Sequence, residues 1–260
     1  MTPDAIPPAP SDAIPAATLI LMREGAEASD PPEILMIERG AALAFLGGAM
    51  VFPGGRVDPG DRAMIDAADA DPEGSAARIA AIRETIEEVG LVVGIAPTPD
   101  DARQERLRGG VRRGESLATL LAETGSTLAP EALTPFARWC PEHVPVRRFD
   151  ARFYLATIER SRSTPRIDGG ETVRAEWVPA AEALARADRD EIRIIYPTRR
   201  TLERLALYRD FPSAVADARA WPVRRIIPFL AERDGVPSIC IPDDLGFPIT
   251  AEPVAQARRG

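Results

Sequence analysis

The 260-residue chain has 32 basic residues, and every one is arginine; lysine and asparagine are absent. A lysine Schiff base, a Walker-type phosphate-binding lysine and an asparagine amide in catalysis are thereby excluded. Cysteine and histidine are almost missing too. Cys140, Cys240 and His143 cannot build a Cys/His zinc cage, nor does their number suit a disulfide-stapled secreted scaffold. Aromatic residues make up only 5%. The longest apolar run, Ala13 to Met22, contains Pro15, is too short to span a bilayer and lacks the basic flank of a signal peptide. A net charge of −8 with no basic block argues against nucleic acid as a partner. These absences lead to the expectation of a reducing cytoplasm, with no membrane association. Any metal must be held by carboxylates, which points to hard cations such as Mg²⁺ or Mn²⁺.

A hydrophobic share of 45% with 28% charged residues is enough for a globular core. Residues 1–15 carry five prolines and read as a disordered arm. Ala17–Met22, Ile34–Glu38 and Ala49–Phe52 read as strands, the last ended by Pro53-Gly54-Gly55. Residues 56–74, rich in Asp, Gly and Pro, read as a loop. Ser75–Val89 has the strongest helical pattern, with Gly90 placed as its C-terminal cap. Residues 99–139 read as helical, with breaks at Gly109-Gly110 and Gly125. Val146–Ile158 and Val173–Trp177 alternate as half-buried strands, and Pro179–Ala187 and Thr198–Tyr208 read as helices. Beyond Trp221, Arg225–Ala231 and Pro237–Ile241 suit a hairpin across Asp234-Gly235.

On a helical wheel, Ile79, Ile82, Ile86 and Val89 share an arc of about 80°, and Glu84, Glu87 and Glu88 lie roughly opposite on a face that reads as solvent-facing. Like charges one turn apart repel, by about 0.2–0.5 kcal/mol each. A bound divalent cation reverses that sign, while the plain alternative is a solvated acidic face.

The run Arg83-Glu84-Thr85-Ile86-Glu87-Glu88-Val89-Gly90-Leu91, together with Phe52-Pro53-Gly54-Gly55 upstream, resembles the box of the Nudix hydrolases, G-x5-E-x7-R-E-U-x-E-E-x-G-U. Asp61 stands where the family has its first glutamate, and Thr85 where it has an aliphatic residue. Between Asp61 and Arg83 the chain is longer than the box allows, so residues 62–75 read as an insertion. The split box, Arg39, Gly48, Phe136-Ala137-Arg138-Trp139 and Arg148-Phe149-Asp150-Ala151-Arg152-Phe153 resemble the coenzyme A diphosphatase branch, in particular its peroxisomal-type member and bacterial relatives. A second arginine of that branch's upstream motif is replaced by Ala44, and Gly40 fills the small-residue position.

The resemblance implies an α/β fold, a Nudix-type α/β/α sandwich with a mixed sheet, spanning 16–210. A helical insertion at 96–140 and C-terminal helices belong to this expectation, as does a 211–260 extension packed on the same domain. It further implies Glu87 and Glu88 as metal ligands with Glu84 as ligand or base, Gly55 contributing its carbonyl, and Arg83 orienting a carboxylate. Glu171, ahead of the Trp177 strand, is the candidate for a further acid, with Glu176 as second choice. Arg39, Arg56 and Arg148 are candidate phosphate binders, Arg152 beside them; Trp139, Phe136 and Cys140 read as core. The implied activity is Mg²⁺- or Mn²⁺-dependent hydrolysis of a pyrophosphate bond in a nucleoside diphosphate conjugate, with coenzyme A or its acyl derivatives leading. NADH or ADP-ribose conjugates are the alternative substrates, and a non-catalytic ligand-sensing domain the alternative function. A homodimer is compatible with this reading.

Overall fold

Two aliphatic segments organise the chain by alternation. In the computed structural model, which describes residues 13–27, 29–41, 46–141, 148–167 and 169–257, they are strands β1 (Ile14–Arg23) and β2 (Glu33–Arg39). Leu19, Leu21, Leu35 and Ile37 enter one hydrophobic core; Ile20, Met22, Ile34 and Met36 enter another on the opposite side. Successive side chains of a strand point to opposite faces, so strands buried on both faces require a layer on each.

The following elements supply those layers. A short β3 (Met50–Val51) and β4 (Gly54–Arg56) lead into α1 (Pro59–Arg62) and the long α2 (Pro72–Val89). Asp71 caps the start of α2 by accepting from the Gly74 N–H, and Gly90 ends it in the left-handed region at φ 66°. Next come β5 (Ile95–Ala96), α3 (Asp101–Arg112), α4 (Leu117–Thr124) and β6 (Thr127–Leu128). The chain then returns to the sheet as β7 (Thr134–Trp139), β8 (Phe149–Thr157) and β9 (Thr172–Pro179). Helices α5 (Ala180–Asp188), α6 (Tyr196–Leu205) and α7 (Phe211–Ala220) follow. The C-terminal part holds β10 (Arg225–Ile226), the hairpin β11 (Phe229–Arg233) and β12 (Val236–Cys240), then β13 (Ala251–Pro253) and α8 (Val254–Ala257).

The main sheet runs β10-β7-β8-β1-β2-β3, with β4 also paired to β1 and β9 to β2. β8 lies parallel to β1, while β2 and β4 lie antiparallel to it. Residues of α2, α3 and α4 fill one core, and residues of α5, α6 and α7 the other, so the architecture is an α/β/α sandwich around a mixed sheet. Ile226, Ile241, Leu245 and Phe247 pack into the second core with Phe136 and Trp139.

Several local expectations need correction. Within 56–74, α1 forms under an Asp58 cap, and α2 begins at Pro72, because Asp71 is its N-cap. Residues 134–139, expected inside a helical insertion at 96–140, are the sheet strand β7, buried at Phe136, Ala137 and Trp139. α3 runs through Gly109-Gly110 without a break; a Cβ on Gly110 would fall 2.3 Å from Leu120 Cδ2, so the glycine allows α3 to pack on α4. Residues 1–12 of the expected arm lie outside the described residues, and Ile14 and Pro15 belong to β1. Among the described residues, no helix is long and apolar enough to cross a membrane.

Candidate active site

The sheet forks at β1. Its Ala16–Thr18 end pairs with β4, and its Met22–Arg23 end pairs with β2. The fork sets the Gly54-Gly55 turn directly against the last turns of α2. A side chain at Gly54 would run into backbone, and one at Gly55 would displace the Glu84 carboxylate. A Cβ on Gly54 would lie 2.3 Å from the Ala17 carbonyl oxygen, and one on Gly55 would lie 2.3 Å from the Glu84 carboxyl carbon. These two residues are therefore set by the close approach of a strand to a carboxylate helix.

Glu84 and Glu88 occupy that contact. The Gly54 N–H donates to Glu88 Oε2 at 2.9 Å, and Arg39 Nη1 stands 3.8 Å from Glu88 Oε1. The side chains of Glu84 and Glu88 are only 16% and 8% exposed, which corrects the solvent-facing reading; Glu87, 45% exposed, is the one that reaches water. A wheel drawn on one helix cannot show that β4 covers part of its polar face. Burial pushes the Glu88 carboxyl up to about 8, with the charges of Glu84 and Glu171 adding to it against the Gly54 N–H and Arg39. Burial likewise pushes Glu84 up to about 7, opposed by Arg83 and assisted by Glu87.

Arg83 ties this group together. Its Nε and Nη2 donate to the two oxygens of Asp61, each at 2.9 Å, its Nη1 donates to Glu84 Oε1 at 2.9 Å, and its Nη2 also reaches the Arg56 carbonyl oxygen. Glu87 stands 3.5 Å from the same guanidinium. Asp61 is 1% exposed and also accepts the Asp58 N–H. Asp61 thus holds Arg83 from α1, with a side chain one methylene shorter than the family's glutamate. Thr85, at the family's aliphatic position, is fully buried because its hydroxyl donates to the Ala81 carbonyl.

The other candidates divide. Glu171 is exposed beside the site: its carbonyl accepts the Gly40 N–H at 2.8 Å, and its charge acts on Glu88. Glu176 is held in ion pairs by Arg174 and Arg186. Arg56 presents an exposed side chain at the end of β4. Arg148 precedes β8, two strands from β4, and Arg152 is drawn towards Asp71 at the opposite end of α2, 3.7 Å away. Phe136, Trp139 and Cys140 are buried, as expected. His143 and Ala44 lie outside the described residues. The Arg39–Glu88 contact was not anticipated. Its signal is positional: β2 ends beside β3, which leads straight into the glycine turn.

Two mostly buried carboxylates of like charge, cradled by glycines, suit a hard divalent cation in kind and charge. Among the described residues, no three metal-binding side chains are gathered closely enough to cage an ion on their own.

A mixed-sheet α/β/α sandwich whose glycine turn donates to a glutamate helix, with a bidentate Arg–Asp pair tying that helix to α1, is the arrangement of a Nudix-type domain. No family model matches the chain. A solved Nudix hydrolase from Alicyclobacillus acidocaldarius matches it at 30% identity with a TM-score of 0.67, over 80% of this chain and 97% of that one. Curated relatives are "Putative nudix hydrolase 7" of Caenorhabditis elegans, 27% identical over 183 residues, and "Acyl-coenzyme A diphosphatase NUDT19" of Gallus gallus, 27% identical over 225 residues. The matches cover 68% and 64% of this chain but 57% and 58% of those proteins, so the chain spans a little over half their length. The chain belongs to the Nudix hydrolase family.

Proposed function

We propose that the protein hydrolyses the pyrophosphate bond of a nucleoside diphosphate linked to a second moiety, with coenzyme A or an acyl-coenzyme A as the leading substrate. The observation that carries this reading is the pair Glu84 and Glu88, buried against Gly54-Gly55 and aligned by Arg83 and Asp61. Glu84, Glu87, Glu88 and the Gly55 carbonyl would hold Mg²⁺ or Mn²⁺. Such an ion, when bound, neutralises phosphate charge and lowers the pKa of water. Arg83 keeps Glu84 aimed at the turn and restrains Glu87. Glu84, with Glu171 across the mouth of the site, is the candidate to accept the proton of the attacking water. Arg39 offers a guanidinium at the buried end, where its Nε lacks a hydrogen-bond partner, and Arg56 offers one at the exposed end. Arg148 would have to reach the substrate from β8.

The coenzyme A assignment rests on the 27% identity to a protein named as an acyl-coenzyme A diphosphatase, together with Arg39, Gly48 and the split box. Loss of the arginine replaced by Ala44 removes one phosphate contact, a cost on the order of 1.5–3 kcal/mol. We therefore expect weak affinity for coenzyme A, or a relaxed enzyme that also takes NADH or ADP-ribose. The test is a hydrolysis screen of coenzyme A, an acyl-coenzyme A, NADH, ADP-ribose and dinucleoside polyphosphates with Mg²⁺ or Mn²⁺. Cleavage of at least one, abolished by EDTA, supports the reading; turnover of none, or full turnover in EDTA, rejects it. Work in a cytoplasmic setting is part of the proposal.

A further inference from the structure

The glutamates of α2 stand at the electrically unfavourable end of their helix. The carbonyl end of a helix repels carboxylates and attracts cations. Glu84, Glu87 and Glu88 nevertheless lie near that end, and the last turn of α2 holds no basic residue of its own. Arg83, just before it, is engaged with the side chains of Asp61 and Glu84 rather than with the carbonyls. Helix α3 supplies what is missing. Glu105, Arg108 and Arg112 recur at intervals of three and four, so they share one face of α3. Arg108 is buried and donates from Nε and Nη2 to the Gly90 carbonyl at 3.3 and 2.8 Å. Gly90 leaves room for it: a Cβ there would fall 2.3 Å from Arg108 Nε. Arg112, one turn further on, donates from Nε to the Glu87 carbonyl at 3.2 Å.

Arg112 has a second hold. Its Nη2 donates to the Arg166 carbonyl at 2.6 Å, and the Arg166 N–H donates to the Val89 carbonyl at 2.8 Å. Arg166 belongs to the connection from β8 to β9, the one that carries Glu171 further on. The carbonyls held are therefore those of Glu87 and Val89, one on each side of Glu88, and that of Gly90 just beyond. Three guanidiniums gather at this helix end. Glu105 bridges two of them, accepting from Arg108 Nη1 at 2.6 Å and from Arg166 Nη1 at 3.1 Å. The carbonyl end of α2 further offsets their mutual repulsion.

We propose that Arg112, with Arg108 beside it, is a positioning residue for the metal site: it fixes the last turn of α2, so that the carboxylates of Glu87 and Glu88 meet a divalent cation in register, and it sets that turn against the connection bearing Glu171. The proposal rests on the reading of Glu87 and Glu88 as metal ligands. An arginine suits the task because its planar fork reaches two carbonyls at once, which a lysine ammonium does less rigidly. The helix does not need the clamp in order to end, since the Gly90 N–H already closes it on the Ile86 carbonyl at 3.0 Å. What the clamp adds is a fixed orientation of the peptides that carry the ligands, the kind of outer support on which metal affinity depends.

Mn²⁺ titration followed by electron paramagnetic resonance, at a temperature where far-UV circular dichroism shows each variant folded, tests it. Arg112→Ala should bind Mn²⁺ about tenfold or more weakly than the wild type. Arg112→Lys, which keeps a cation able to donate to one of the two carbonyls, should recover part of the loss. Arg106→Ala is the control. Arg106 lies on another face of α3 and pairs with Glu115 and Glu123, so its loss should lower the melting temperature and leave Mn²⁺ affinity within about twofold. Should Arg112→Ala fail to fold, Arg112→Met, which keeps the aliphatic stem and drops both donors, takes its place. Wild-type Mn²⁺ affinity in a folded variant without the Arg112 guanidinium, or an equal loss of affinity in Arg106→Ala, overturns the positioning role and leaves the carboxylate site standing. Absence of Mn²⁺ binding by the wild type overturns both.

Discussion

Replacing Glu88 by glutamine should stabilise the metal-free protein, and only at high pH. Glu88 is 8% exposed, touches Arg39 at a distance of 3.8 Å, and its ionisation is pushed from 4.5 to about 8, chiefly by burial. The sign follows from linkage. Below about pH 4 the carboxyl is protonated in both folded and unfolded chains, and nothing is lost. Between the unfolded value and about 8 the unfolded chain gives up its proton first, so stability falls as pH rises. Above about 8 the folded state carries the full cost of a buried anion, on the order of 5 kcal/mol. Glutamine keeps the oxygen that accepts the Gly54 N–H and never ionises. Urea unfolding in EDTA at pH 5, 7 and 9 should therefore show the two proteins within about 1 kcal/mol at pH 5 and the variant ahead by on the order of 5 kcal/mol at pH 9. Titrations away from the site are common to both proteins and cancel in the difference. Equal stability at pH 9 would mean that Glu88 is well solvated, and the reasoning would fail. Saturating Mn²⁺ should reverse the order, because only the wild type keeps the charged ligand.

The remaining expectations concern the surroundings of the site. Asp61→Ala leaves Arg83 with Glu84, the Arg56 carbonyl and the longer contacts to Asp58 and Glu87; thermal unfolding should report a loss of about 2–3 kcal/mol, and Mn²⁺ affinity should fall because Glu84 is no longer aimed, so an unchanged melting curve would show Asp61 to be dispensable. Deleting residues 66–70 removes most of the exposed part of the insertion while sparing Asp61 and the Asp71 cap; Mn²⁺ affinity should stay within about threefold, and its loss in a folded variant would show that the insertion shapes the site. Arg204, 1% exposed, donates to Asp217 and Tyr208 and lies over the rings of Phe136 and Phe247; Arg204→Ala should cost about 3–5 kcal/mol in denaturant unfolding, and a cost under 1 kcal/mol would show that the network does not hold the C-terminal segment to the core.

What could be read beforehand was what local pattern determines. The alternation of β1 and β2, the periodicity of α2 and its Gly90 cap are properties of neighbouring residues, and so they survived into the structure. The glycine turn and the glutamates were legible as motifs. Their burial was not, because it depends on β4 docking across α2, a contact between segments some thirty residues apart. Phe136 and Trp139 belong to a strand because they close a core with Phe153, Tyr208 and Phe247, long-range partners that override the helical pattern of the preceding residues. Asp61 could be aligned with the family's first glutamate, but its bidentate hold on Arg83 required α1, which forms inside a stretch whose composition reads as loop. That Arg225, Arg138 and Arg152 stand opposite one another was invisible for the same reason: three residues scattered along the chain meet only through strand register.

On the proposed reading, Glu84 and Glu88 together hold the divalent cation on which hydrolysis depends. Mn²⁺ titration followed by electron paramagnetic resonance, on the wild type and on the Glu84→Gln/Glu88→Gln double variant at pH 8, tests it without knowledge of the substrate. Stoichiometric binding by the wild type, with affinity reduced by about a hundredfold or more in a folded double variant, is the predicted result. Indistinguishable Mn²⁺ affinities of the two proteins would contradict it.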